Sequence, residues 1–234
     1  MKNIIITGAS KGIGAAIAWK FAEAGFDIAL CARTLADLQT LRSDILQKYP
    51  TIRVFIQAVD VAEKAQIQAF GDAVLAEFGS IDVLVNNAGV FLPGAITKEE
   101  EDTLLQLINT NLYSAYYLTR KILPTMLAQN DGYIFNMCSI ASKVAYPTGG
   151  SYSVSKFALL GFNKALREEL KTTKVRVTAI LPGAVRTPAW GDIDLPDSRF
   201  IQASDIADAV FSCYNMTPGA VVEELLVRPQ AGDI

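Results

Sequence analysis

The run NIIIT at 3–7 sets three isoleucines in a row, apolar on both faces at its centre, and it does not stand alone. Six similar runs follow: DIALCA (27–32), IRVFIQAV (52–59), IDVLVN (81–86), YIFNMC (133–138), KVRVTAIL (174–181) and AVVEELLV (220–227). Between them lie segments of helical periodicity at about 13–25, 35–48, 63–78, 99–129, 152–172 and 204–214. Strands apolar on both sides need cover on both sides, and helices alternating with them supply it. The pattern predicts an α/β architecture, a parallel sheet of about seven strands with helices on both faces, in one domain spanning 1–234. No linker, repeat or low-complexity segment interrupts it.

The stop and start signals agree with this division. The second helix ends before Pro50. Thr97 with Glu100 reads as a capping box opening the long helix 99–129. The acidic residues of KEEED (98–102) then fall in its first turn, as dipole partners rather than a metal site. The longest stretch without periodicity, 186–203, reads as a mobile substrate loop with few backbone bonds of its own.

Between the first strand and the first helix stands TGASKGIG (7–14). Gly8, Gly12 and Gly14 let the backbone turn tightly and approach a pyrophosphate, and the helix amino end offers it free N–H groups. In this setting the turn specifies a Rossmann-type doubly wound sheet that binds a dinucleotide. At the end of the second strand, where NAD binders commonly carry a carboxylate for the ribose, the chain has Ala32 followed by Arg33. A lost carboxylate and a gained guanidinium favour a 2′-phosphate, with Lys11 as a second cation, so the expected cofactor is NADP(H).

Composition removes other classes. There is no histidine, which excludes Ser-His-Asp, Cys-His and His-ligated metal chemistry. A net charge of −3 points to no nucleic-acid or anionic membrane partner, and no apolar run is long enough to span a bilayer. MKNIIITGAS passes from a strand into a glycine turn, so no signal peptide is expected. Cys31, Cys138 and Cys213 form no CxxC and read as reduced thiols of a cytoplasmic protein.

Proton transfer then falls to residues such as Tyr152 and Lys156, four apart in SYSVSK and so on one helical face. A free phenol, with a pKa near 10, is a weak acid at neutral pH. An ammonium about 4 Å away at an effective dielectric near 20 would favour phenolate by ~4 kcal/mol, lowering that pKa by about three.

Taken together, TGASKGIG, NNAG (86–89), Asn111, Ser139, YSVSK (152–156) and PGAVRT (182–187) resemble the short-chain dehydrogenase/reductase family over nearly the whole chain. The resemblance implies a catalytic set of Asn111, Ser139, Tyr152 and Lys156, with Tyr152 as general acid, Ser139 on the carbonyl oxygen and Asn111 seating a water. It implies cofactor contacts from Gly8, Ser10, Lys11, Gly12, Ile13 and Gly14, and from Arg33. Asp60 and Val61 would serve the adenine, and Asn86, Ala88 and Gly89 the adenosine side. Tyr152 and Lys156 would meet the ribose and nicotinamide, with Pro182, Gly183, Val185 and Thr187 around the carboxamide. It implies no metal.

TPAWGDID (187–194) and the ending VVEELLVRPQAGDI are similar to the bacterial sepiapterin-reductase-like branch, whose small-molecule carbonyl substrates are diketones on pterins or simpler aromatic frames. Trp190 could stack on a flat substrate or pack on the loop, and Asp192 and Asp194 could bond a pterin edge or stay solvated. A 3-oxoacyl thioester reductase and a non-catalytic NADP-binding regulator are the alternatives; a nucleotide-sugar epimerase would need a further C-terminal domain. Leu118, Ile122, Val154, Phe157 and Leu160 cannot all face one core, so a homodimer or homotetramer is expected.

Overall fold

The computed structural model describes residues 1–191, 193–232 and 234. Its strands are β1 (Asn3–Thr7), β2 (Asp27–Ala32), β3 (Val54–Ala58), β4 (Val83–Asn86), β5 (Gly132–Met137), β6 (Val175–Pro182) and β7 (Glu224–Val227). They form one parallel sheet in the order β3-β2-β1-β4-β5-β6-β7. The helices are α1 (Gly12–Glu23), α2 (Leu35–Lys48), α3 (Lys64–Phe78), α4 (Thr103–Ile108), α5 (Ser114–Gln129), α6 (Gly150–Leu170) and α7 (Ala203–Tyr214).

Side-chain alternation along β1 divides the core. Ile4 and Ile6 face a layer built from α1, α2 and α7, where Phe21, Leu38 and Val210 are buried. Ile5 faces the layer of α3, α5 and α6, with Phe70, Leu118 and Leu166. The strand order reverses between β1 and β4, and the turns leaving their carboxyl ends define the cleft of a doubly wound sheet.

Two expectations need correction. The segment 99–129 is not one helix: Thr97–Glu100 caps nothing, α4 begins at Thr103, and a π-helical turn at Asn109–Tyr113 separates α4 from α5. The acidic run 98–102 therefore precedes the helix, and α4 has no acidic residue in its first turn. Leu118, Ile122 and Leu160 are buried within the chain, leaving Val154 and Phe157 exposed at 44% and 46%.

Candidate active site

The glycine turn leaves β1 with Gly8 (φ +63°) and Gly12 (φ +60°) in the left-handed region, where a side chain would be strained. Gly14 is required for space: an added Cβ would lie 2.5 Å from the Gly8 carbonyl oxygen and 2.7 Å from Asn87 Nδ2. Asn87 ties this turn to the end of β4 by donating to the carbonyls of Thr7 (2.9 Å) and Gly8 (3.0 Å). Thr7 Oγ1 in return accepts from the N–H groups of Asn87 and Ala88. The first turn of α1 contains no acidic residue, and Lys11 at its N-cap makes no side-chain cap, so the helix amino end is left to an anion. Thr187 faces the turn, 3.2 Å from where a Gly12 Cβ would stand. This cradle fits a dinucleotide pyrophosphate.

Around it, Lys11 and Arg33 are exposed, with Ser10 and Ile13 half-buried beside them. Asp60 donates its N–H to Gln66 Oε1 at 2.9 Å, and its carboxylate accepts from Ala62 N–H at 3.0 Å, next to buried Val61. The side chain of Asn86 lies elsewhere than expected. Its amide is buried and donates to Thr119 Oγ1 (2.9 Å) and Asn136 Oδ1 (2.8 Å), so it braces β4 against β5 and α5 rather than lining the cleft.

Asn111, Ser139, Tyr152 and Lys156 come together although they are spread over three segments, Tyr152 and Lys156 sharing α6. An added Cβ at Gly89 would stand 3.2 Å from Asn111 Oδ1 and 3.5 Å from Lys156 Nζ. Asn111 sits in the π turn, and its side chain holds both backbone groups of Val90, accepting at 2.8 Å and donating at 3.0 Å. It also donates to Ser155 Oγ (2.9 Å), which itself donates to the Tyr152 carbonyl (2.7 Å). Ser139 Oγ accepts from Ala141 N–H at 3.1 Å, and its hydroxyl favours the ionised form of the Tyr152 phenol. Lys156 is 5% exposed and donates to the Met137 carbonyl at 2.9 Å.

Burial sets the charges differently from the simple pair. Tyr152 is pushed above the ordinary tyrosine value by desolvation, against which the Ser139 hydroxyl works. Lys156 is pushed down to about 8 by desolvation, with Cys138 acting the other way. The lowered Tyr152 expected from an ammonium at ~4 Å is thus not realised in the free protein, because both groups lose water and Lys156 Nζ is 5.8 Å from the Tyr152 ring centroid. Tyr146 is pushed up to about 12 by burial and by the nearby Tyr152.

The segment 186–203 also departs from expectation, since it carries its own bonds. Arg186 N–H reaches the Ile201 carbonyl (2.8 Å) and Ile201 N–H the Ala184 carbonyl (2.9 Å), closing the base of the loop at a Val185–Ile201 bridge. Short 3₁₀ turns at Pro188–Trp190 and Asp197–Arg199 fill it, and Arg186 pairs with Asp197 at 3.0 Å. Trp190 donates its indole N–H to the Val185 carbonyl (2.9 Å) and packs edge-on against Phe200 (5.3 Å). That is the packing role of the two left open. Asp192 lies outside the described residues; Asp194 is exposed.

Residue types alone did not reveal Asn87, Ser155, Phe91 or Glu99. Phe91 sets its ring 4.8 Å from that of Tyr152, and Glu99 bonds Ser151. Ser155 had a signal, a third serine within SYSVSK one turn after Tyr152, whereas the others depend on contacts across the chain.

Residues 2–197 match the family model described as short chain dehydrogenase. The chain is 35% identical over 243 residues to the sepiapterin reductase of Chlorobaculum tepidum, covering 100% of this chain and 99% of that relative. Among solved structures it is similar to an alcohol dehydrogenase from the archaeon Thermococcus sibiricus complexed with 5-hydroxy-NADP, with a TM-score of 0.92, 29% identity and coverage of 98% and 97%. It is also similar to a metagenomic short-chain oxidoreductase in complex with NADP, at TM-score 0.85 and 34% identity, with coverage of 98% and 97%.

Proposed function

The chain belongs to the short-chain dehydrogenase family, and from that premise we propose an NADP(H)-dependent oxidoreductase that reduces a small-molecule ketone or diketone. A pterin side chain or an aromatic diketone is the favoured substrate class, supported by the full-length likeness to a sepiapterin reductase. The observation that carries the reading is the convergence of Asn111 and buried Lys156 beside Gly89, with Tyr152 one helical turn before Lys156, at the same end of the sheet as an uncapped glycine turn.

Gly8, Gly12 and the first turn of α1 would receive the pyrophosphate, and Lys11 and Arg33 the 2′-phosphate. The backbone at Val185 and the side chain of Thr187 would hold the carboxamide. When bound, the reduced nicotinamide supplies the hydride. Ser139 orients the substrate carbonyl oxygen, its own oxygen held by Ala141 N–H. Tyr152 gives its phenolic proton to that oxygen, and burial keeps the proton in place until substrate arrives. Lys156, still charged at pH 7, offsets the charge that develops on the phenol oxygen as the proton leaves. The side chain of Asn111 is fully engaged, so a water relay there would use its backbone carbonyl in the π turn. Val154 and Phe157 are proposed to meet a second copy in a homodimer or homotetramer.

The test is NADPH oxidation measured over pterins, diketones, 3-oxoacyl thioesters, steroids and quinones. Turnover of diketones or pterins is expected. Activity confined to thioesters would move the substrate class, and NADPH binding without turnover of any carbonyl would overturn the enzymatic reading.

A further inference from the structure

We propose that Glu99 is a positioning residue for Tyr152, supplying from a distant segment the acceptor that the amino end of α6 lacks in its own sequence. The role for Tyr152 rests on the function proposed above.

Helix α6 begins without a conventional cap. Gly149 at its N-cap has no side chain, and its first turn has no acidic residue. The Ser151 N–H is nevertheless paired, at 2.9 Å, with Glu99 Oε1. Ser151 Oγ donates to Oε2 of the same carboxylate. One ionised group thus takes two hydrogen bonds at the helix end, a strong and directional arrangement. The next residue is Tyr152.

The segment bearing Glu99 is itself fixed to the start of α6. Gly94 N–H donates to the Thr148 carbonyl at 3.0 Å beside a parallel Gly94–Gly149 bridge, and Glu99 N–H bonds the Ala95 carbonyl at 3.1 Å. Glycines make the room: a Cβ on Gly150 would fall 2.0 Å from Glu99 Oε1, and one on Gly94 2.7 Å from Glu99 Cγ. Phe91, from the same stretch of chain, packs its ring 4.8 Å from that of Tyr152. Residues 91–99 therefore hold Tyr152 twice, at the ring through Phe91 and at the helix backbone through Glu99. First helical turns fray when their N–H groups are unpaired, and proton transfer tolerates little displacement.

The experiment compares wild type, Glu99→Ala, Glu99→Gln and Ser151→Ala in the full chain. Hydrogen exchange at residues 150–154 should quicken in Glu99→Ala and return toward wild type in Glu99→Gln, whose Oε1 still accepts the Ser151 N–H. With a substrate from the carbonyl screen, Glu99→Ala should lower kcat about 10- to 100-fold while NADPH Kd stays within about twofold. Glu99→Gln should restore most of kcat, and Ser151→Ala, which keeps the backbone bond, should lose less than Glu99→Ala. The ¹³Cζ resonance of Tyr152, assigned by its loss in Tyr152→Phe, should titrate closer to the free tyrosine value of about 10 in Glu99→Ala. Unchanged exchange at 150–154 in Glu99→Ala overturns the clamp. Faster exchange with an unmoved Tyr152 titration makes Glu99 merely structural and overturns the positioning role. If wild type turns over no carbonyl, the proposed function fails, while the exchange and resonance measurements still decide the part played by Glu99.

Discussion

Lys156 holds its ammonium 5.8 Å from the centre of the Tyr152 ring and gives its hydrogen bond to the Met137 carbonyl. The two groups are neighbours on one face of α6, yet the lysine is anchored to β5. It is a buried charge on a backbone acceptor, with no carboxylate in ion-pair reach among the described residues, and its pKa falls to about 8.

That depression has a consequence for stability. Between about 8 and the unfolded value of 10.5, the unfolded chain binds more protons than the folded one, so stability rises with pH across that window. Below about 8 the cost of the buried charge is felt in full. Lys156→Met should therefore stabilise the free protein at pH 7 by about 1–2 kcal/mol, after allowing for the lost Met137 bond. The gain should shrink toward pH 10 in thermal melts, and turnover should be nearly lost. A gain that does not change between pH 7 and 10 would show that Lys156 is not the group responsible.

Tyr152→Phe removes the proton while keeping the ring against Phe91. Steady-state kinetics should show kcat down about 10²–10⁴-fold, with NADPH affinity measured by fluorescence titration nearly unchanged. Substantial remaining activity would mean that another acid serves the reaction.

Arg33 is exposed beyond β2, where Ala32 offers no carboxylate to a ribose. Arg33→Ala should raise Kd for NADPH about tenfold and leave NADH alone. Equal losses for both cofactors would remove the 2′-phosphate assignment.

Trp190 is clipped to Val185 and Phe200, so it stiffens the loop as a whole. Trp190→Ala should speed hydrogen exchange over 186–200 and raise KM for aromatic and aliphatic carbonyls alike. A rise confined to aromatic substrates would instead make the indole a recognition surface.

Val154 and Phe157 form an apolar pair on the outer face of α6. Light scattering should give a multiple of the 25.3 kDa chain mass, and Phe157→Lys should shift it toward the monomer. A wild-type monomer at micromolar concentration would leave this face without the proposed partner.

By itself the sequence determined the sheet, its two helical layers and the glycine turn. Each of these rests on local periodicity or on a backbone conformation that only glycine adopts comfortably, as at Gly8 and Gly12. It also brought out Asn111, Ser139, Tyr152 and Lys156, through a set of motifs in one order. Only the tertiary structure decided what surrounds them. The break of 99–129 at a π turn was invisible to apolar spacing, since Asn111 holds Val90 there through a side chain. Asn86 was drawn into the sheet by Asn136 and Thr119, while Asn87 took the glycine turn. Adjacent asparagines have the same chemistry, and their roles diverged only because successive side chains at a strand end point to opposite sides. The charges at Tyr152 and Lys156 likewise followed from burial, which depends on every segment that packs over them and cannot be read from a spacing of four.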